Sequence, residues 1–349
     1  MEPKNPDALH LLAILSKELG RLLQSLSYFD ASLESVNRQP VVWSNKGNLL
    51  RSLGRLDEAD KCYAKAVELM PSFKDAWQNR GALELERDDP RKAALWFETA
   101  QKLEPSLSSA TSLVESYISL KEHKKAARLI IKSKKKWRGD LSILVGEARL
   151  LMSQGDHTKA LKVLMASMDD QANKGFVCYQ IGLVFIDQEK IEEGVFWLER
   201  ALKISPDLIE AHRVLNNIFR ENNDPRFLLS YAEAIASLPD FAPLYHNLSA
   251  TYLSVGEIDA AGECLSKAVE EIDGNPYLVH GLGVFLMRQG RLGEAKPLLE
   301  DAITRLPDNT RFLIDLANLH MKEENYPEVG SLLAHADQIE PYNQEIIAY

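Results

Sequence analysis

The chain has little with which to build covalent links or a catalytic centre. Three cysteines, Cys62, Cys178 and Cys264, are scattered over 349 residues with no Cys-x-x-Cys spacing. That pattern excludes a disulfide framework and a thiolate metal knuckle, and leaves small buried hydrophobes in a reducing compartment as the expectation. The longest nearly apolar stretch, Tyr277 to Met287, is too short to span a bilayer and contains His280. The start, MEPKNPDALH, lacks the basic residues and apolar run of a signal peptide, so the expected location is cytoplasmic. Basic charge is in deficit, with a net charge of -10, which argues against nucleic acid or an anionic membrane as a general partner. There is no Gly-x-x-x-x-Gly-Lys-Ser/Thr, Gly-x-Gly-x-x-Gly, Gly-x-Ser-x-Gly or His-Glu-x-x-His sequence. His335-Ala-Asp337 has the His-x-Asp form of an iron facial triad, but no histidine follows it, and it is assigned to chance. No catalytic residue, cofactor or metal is expected.

What is present is a period. Trp43, Gly47, Ala59, Tyr63, Ala66 and Pro71 are each followed 34 residues later by Trp77, Gly81, Ala93, Phe97, Ala100 and Pro105. A fixed spacing in this range marks a solenoid of stacked units, none of which buries its apolar face alone. With two one-residue contractions, ten units begin at Pro6, Pro40, Lys74, Ser108, Leu141, Gly175, Ile209, Ala242, Pro276 and Thr310. The eighth residue is small in eight of the ten, Glu115 and Asn216 being the exceptions. The twentieth is small in eight, Leu228 and Val329 being the exceptions. Small residues at two fixed points suit a crossing of antiparallel helices whose axes approach to about 8–10 Å. Glycine at the fifteenth residue of five units (Gly20, Gly54, Gly155, Gly256 and Gly290) suits the turn between them. Asp89-Pro90 and Asp224-Pro225 offer an N-cap followed by proline at the first helical position. Prolines 71, 105, 206, 307 and 341 close the second helices. The fourth and seventh units are degenerate, and Leu228 at the helix crossing of the seventh predicts an irregularity over residues 209–241.

These offsets resemble the tetratricopeptide repeat family over residues 6–343, nearly the whole chain. The resemblance implies an all-α, α-solenoid fold, a right-handed superhelix whose first helices line a concave groove. It also implies a non-catalytic scaffold that binds a protein or an extended peptide. Ligand-contacting positions of the family fall here on Asn45, Asn48, Asn79, Arg213, Asn217, His246, Asn247, His280 and Asn318. Arg213, Asn217 and Asn247 match part of the carboxylate clamp found in some members. Tyr277 and Gly281 stand where its remaining cations belong, so no such clamp is expected. His246 and His280 share the fifth position of adjacent units with His10 of the first. Stacking separates such positions by about 10 Å, too far for one metal with bonds of about 2.1 Å, so they are expected to line the groove.

Two features remain. Lys121, Lys124, Lys125, Arg128, Lys132, Lys134, Lys135, Lys136 and Arg138 crowd the second helix of the fourth unit. A solvated outer face is the default there, and an acidic docking partner the alternative. Lys17, Glu18 and Arg21 suit a partly polar N-terminal cap, whereas Ile346, Ile347 and Tyr349 suit a poor cap at the other end. That end is expected to dock on something or to continue. More faintly, the terminal sequences resemble arrays N-terminal to iron/2-oxoglutarate dioxygenase domains in bacteria. The alternative function is therefore substrate recognition within a larger enzyme, a dioxygenase, sulfotransferase or glycosyltransferase, whose catalytic domain lies beyond residue 349.

Overall fold

A computed structural model describes residues 5–168, 172–341 and 343–347. The described residues form twenty-one helices and no strand. In order they are α1 (Pro6–Glu18), α2 (Leu22–Ser35), α3 (Pro40–Ser52), α4 (Leu56–Leu69), α5 (Lys74–Glu86), α6 (Pro90–Leu103) and α7 (Leu107–Ser119). There follow α8 (His123–Lys136), α9 (Leu141–Ser153), α10 (His157–Met165), α11 (Lys174–Asp187), α12 (Ile191–Ile204), α13 (Ile209–Glu221) and α14 (Leu229–Ser237). The last are α15 (Ala242–Ser254), α16 (Ile258–Glu271), α17 (Pro276–Arg288), α18 (Leu292–Arg305), α19 (Thr310–Lys322), α20 (Tyr326–Ile339) and the single turn α21 (Gln344–Ile347). Consecutive pairs form hairpins 1 to 10, an α-solenoid arrangement. Two compact units result: Met1–Glu104 with Gly274–Tyr349, and Pro105–Asp273.

The crossing inside each hairpin explains the small residues. A Cβ added to Gly47 would lie 2.6 Å from the Tyr63 ring, and one on Gly81 2.6 Å from the Phe97 ring. At Gly283 it would lie 2.8 Å from Leu299, and at Gly182 3.2 Å from Leu198. In all four pairs a glycine on the first helix receives the side chain 16 residues later on the second. Phe97 and Leu198 are at most 1% exposed, so these contacts sit at the centre of each hairpin core.

Position 15 carries a positive φ in all ten hairpins. Glycine supplies it at 20, 54, 155, 256 and 290; Asp88, Lys121, Glu189, Asn223 and Glu324 supply it elsewhere, with φ between 52° and 61°. Lys121 holds this place only if the fourth unit begins at Leu107. Burial agrees, since Ala126 and Ile130 are inside while Ile131 is 59% exposed. The one-residue contraction therefore precedes the fourth unit, which corrects the expected start at Ser108. Val114, not Glu115, stands at that crossing, and Glu115 pairs on the surface with Arg149 at 3.1 Å. Helices α4, α6, α12, α18 and α20 each stop two residues before one of the closing prolines.

In hairpin 7 the second helix is cut to nine residues. Asp224-Pro225 does not open it: the Asp224 carboxylate accepts from the Arg226 backbone N–H, and the helix starts only after Leu228, at φ 68°. Asn216 fills the crossing that a small residue occupies elsewhere. Its amide nitrogen donates to the His212 carbonyl and to Ser230 Oγ, both at 2.9 Å, and its oxygen accepts from Leu228 N–H at 2.7 Å. Asp89, by contrast, does cap α6, accepting from Lys92 N–H at 3.0 Å.

Hairpins 1 to 3 share their unit with hairpins 9 and 10, and the two sets pack together. One apolar cluster joins Ala13, Leu26 and Phe29 to Leu313, Ile314, Ala336 and Ile339, with Leu23, Ile303 and Ile346 against it. Asp308, 8% exposed, accepts from the Leu23 backbone N–H and from His335 Nε2, both at 2.9 Å. His335 is thus committed to Asp308. Arg311 reaches Asp315 and Glu345 at 2.8 and 2.9 Å, tying α21 to α19. The apolar turn after Pro341 is in part covered by this cluster through Ile346; the side chains of Ile347 and Tyr349 lie outside the described residues.

Candidate functional site

First helices of neighbouring hairpins are linked by rungs 35 residues apart. The Asn45 amide nitrogen lies 2.9 Å from His10 Nε2, the Asn79 amide nitrogen donates to Ser44 Oγ at 3.3 Å, and His280 Nε2 donates to Asp315 at 3.1 Å. Each joins the fifth residue of one unit to the sixth of the next. Burial pulls the His10 pKa below its usual value. His280 is packed on the Phe312 ring at 4.2 Å, with its side chain only 12% exposed. Burial would raise the Asp315 pKa, but the His280 hydrogen bond and the Arg311 charge outweigh it and hold it below the usual value. The fifth and sixth positions of this unit therefore serve repeat-to-repeat contact, a role that periodicity alone did not reveal.

The other asparagines also have local partners. Asn48 accepts from Tyr63 OH at 2.8 Å, inside its own hairpin. Asn247 donates to the Pro243 carbonyl one turn earlier at 2.8 Å, and Asn217 accepts from Arg220 at 3.4 Å. Asn318 is half-buried and has a partner. Arg213 and His246 differ: both are exposed, and neither side chain makes a hydrogen bond or ion pair among the described residues.

Arg213 and His246 hold the fifth position of α13 and α15, with Tyr179 at the fifth position of the unit before. The Tyr179 pKa is raised by burial and by Glu210, with Arg149 and Arg213 near enough to oppose the rise. Tyr179 is half-buried against Phe176, with ring centroids 6.0 Å apart. The Pro105–Asp273 unit thus presents an aromatic, a guanidinium and an imidazole on successive first helices, with Asn217 and Asn247 close in sequence.

Position 4 shows how the hairpins are seated. Trp43 Nε1–H donates to the Asn37 carbonyl and Trp77 Nε1–H to the Pro71 carbonyl, each at 2.9 Å and six residues back. In hairpin 7 His212 takes this place and donates from Nε2 to the Pro206 carbonyl, also at 2.9 Å and six residues back. Its Nδ1 lies 3.0 Å from Ser230 Oγ, and burial, which disfavours the charged ring, lowers its pKa. No group of three or more His, Cys, Asp or Glu placed to hold a metal occurs among the described residues. No described helix is long and apolar enough to cross a membrane.

Tight hairpins, position-4 donors and a positive φ at each turn define a protein built from repeated helical hairpins. The chain carries tetratricopeptide repeats: models of that family match residues 40–73, 177–208 with 242–272, and 286–348. A TPR repeat-containing protein of Methanocaldococcus jannaschii is 37% identical over 67 residues, 19% of this chain and 20% of the relative. The chain therefore matches about one fifth of that relative's length. A tetratricopeptide repeat protein from Parabacteroides merdae shares the fold, with a TM-score of 0.53 and 15% identity over 80% of this chain and 98% of the other. The TPR protein YrrB, described as having an unusual peptide-binding site, is 22% identical over 53% of this chain and 96% of its own, with a TM-score of 0.40.

Proposed function

We propose that the chain is a non-catalytic scaffold that binds a protein segment on its first-helix face, with α13 and α15 as the principal contact. The observation that carries this is the contrast between the two units. At the fifth position His10, Ser44 and His280 are consumed by rungs, whereas Arg213 and His246 are exposed and uncommitted. An arginine and an imidazole one repeat apart, flanked by amides, suit an extended peptide. The guanidinium meets a carboxylate or carbonyls, and the amides of Asn217 and Asn247 can exchange local bonds for bonds to peptide backbone.

The test is selection of a displayed random peptide library on the whole protein. Peptides enriched by the wild type should bind the Arg213→Ala/His246→Ala/Asn247→Ala variant at least ~30-fold more weakly, the loss typical of removing a central arginine contact of about 2 kcal/mol. Equal binding to both proteins, or no enrichment, contradicts the proposal.

A further inference from the structure

The second helix of hairpin 4 carries a feature that peptide binding on the first helices does not use. Helix α8 has seven lysines and arginines and no acidic residue in 14, in a chain whose net charge is -10. Three of the seven are engaged: Lys125 with Glu122, Lys134 with Glu147, and Lys136 with the Pro105 carbonyl. The other four, Lys124, Arg128, Lys132 and Lys135, are exposed and form no ion pair among the described residues. Their spacing of i, i+4, i+8 and i+11 puts them on one stripe of the helix. Ile131, 59% exposed, sits at i+7 on the same stripe. The buried face of the helix is Ala126, Ile130 and Ser133, so the stripe points away from the hairpin. The next second helix, α10, also lacks an acidic residue and exposes Lys162.

Like charges four residues apart cost helix stability, so four unneutralised cations on one stripe are a local penalty. From this charge pattern we infer that α8 docks an acidic, amphipathic helical segment of another protein. Its carboxylates pair with Lys124, Arg128, Lys132 and Lys135, and an apolar side chain rests on Ile131. The stripe is short, about 16 Å for eleven residues of rise. A helix of three or four turns covers it fully. A nucleic acid or an anionic bilayer extends beyond it and meets a chain of net negative charge. An exposed isoleucine at its centre suits an apolar contact and offers nothing to stack on a base.

The test uses a capped, roughly 20-residue helix-forming peptide with glutamates at successive i, i+4 positions and one leucine among them. Binding to the full chain is read by fluorescence anisotropy. Binding should weaken steeply with added salt. Affinity should fall about a hundredfold when Lys124, Arg128, Lys132 and Lys135 are all changed to Glu, because four exposed pairs are lost and repulsion of similar size replaces them. The corresponding change to Gln, which leaves no new repulsion and is gentler on folding, should cost about half that on a logarithmic scale. Ile131→Ser should weaken binding with no change in salt slope. The inference is overturned if a scrambled peptide of the same composition binds equally well, or if both charge variants bind like the wild type. It is also overturned if a single-stranded oligonucleotide or phosphatidylserine vesicles bind more tightly than the peptide.

Discussion

Alanine at position 81 offers a direct reading of how tightly the hairpins are built. The new Cβ would meet Phe97 Cε1 at 2.6 Å, Cδ1 at 2.7 Å and Cζ at 2.8 Å. Phe97 is 1% exposed, so its ring cannot swing into solvent, and α5 and α6 must part or the ring must leave its rotamer. Overpacking of this kind costs about 1–3 kcal/mol. Replacing glycine inside a helix returns up to about 1 kcal/mol. The net expectation is a loss of about 1 kcal/mol for Gly81→Ala. Hairpin 5 holds Ala148 and Leu164 in one core, so alanine opposite leucine is an accepted pairing. Phe97→Leu should therefore cost about 1 kcal/mol alone but much less when added to Gly81→Ala. Urea unfolding followed by far-UV circular dichroism measures all four corners of the cycle. The reasoning fails if Gly81→Ala is as stable as the wild type, or if the two changes add to within about 0.5 kcal/mol.

Other consequences follow from named groups. Asp308→Ala removes a nearly buried carboxylate from the Leu23 N–H and from His335, and should cost about 2 kcal/mol in urea unfolding. Lys121→Gly and Glu189→Gly relieve side chains held at φ 57° and 61° and should each stabilise by about 1 kcal/mol; destabilisation of both would deny the left-handed turn. The His212 pKa is depressed in the fold, so its contribution is complete above the unfolded value of about 6.5 and is lost as pH falls through the folded value. Urea midpoints should drop as the pH falls below about 6.5, less steeply in His212→Gln. Burial pushes Cys62 and Cys264 up to about 11, so both should resist thiol reagents near pH 8 until the protein unfolds.

Much of the architecture was legible because its steric demands fall on residue types that few alternatives satisfy. Gly47 and Gly81 touch aromatic rings, and no larger side chain fits without movement. The turns were legible in only half the hairpins. Asp88, Lys121 and Glu189 accept the same positive φ at a modest cost that their neighbours override, so their identity gives no warning. Lys121 in turn hid the register of the fourth unit. His212 was obscure for a related reason: it replaces the tryptophan N–H with an imidazole N–H and keeps the bond, so function survives while the letter changes.

The candidate site was less legible. Position within the first helix marks which residues face a neighbour, but not whether the neighbour is a ligand or the next repeat. Asn45 and Asn79 turned out to be rungs, while Arg213 and His246 stand exposed, and the four share the same sequence logic. The contact between hairpin 1 and hairpins 9 and 10 had no signal in the period either. Asp308 and Leu23 are 285 residues apart, and no feature of the repeating unit pairs them.

The most direct test of the scaffold reading is amide hydrogen exchange of the intact chain with and without a peptide selected from the library. Protection on binding should concentrate on α13 and α15, and fall away when Arg213 and His246 are replaced by alanine. Protection confined to second helices such as α12 and α16, or none at all at saturating peptide, would contradict it.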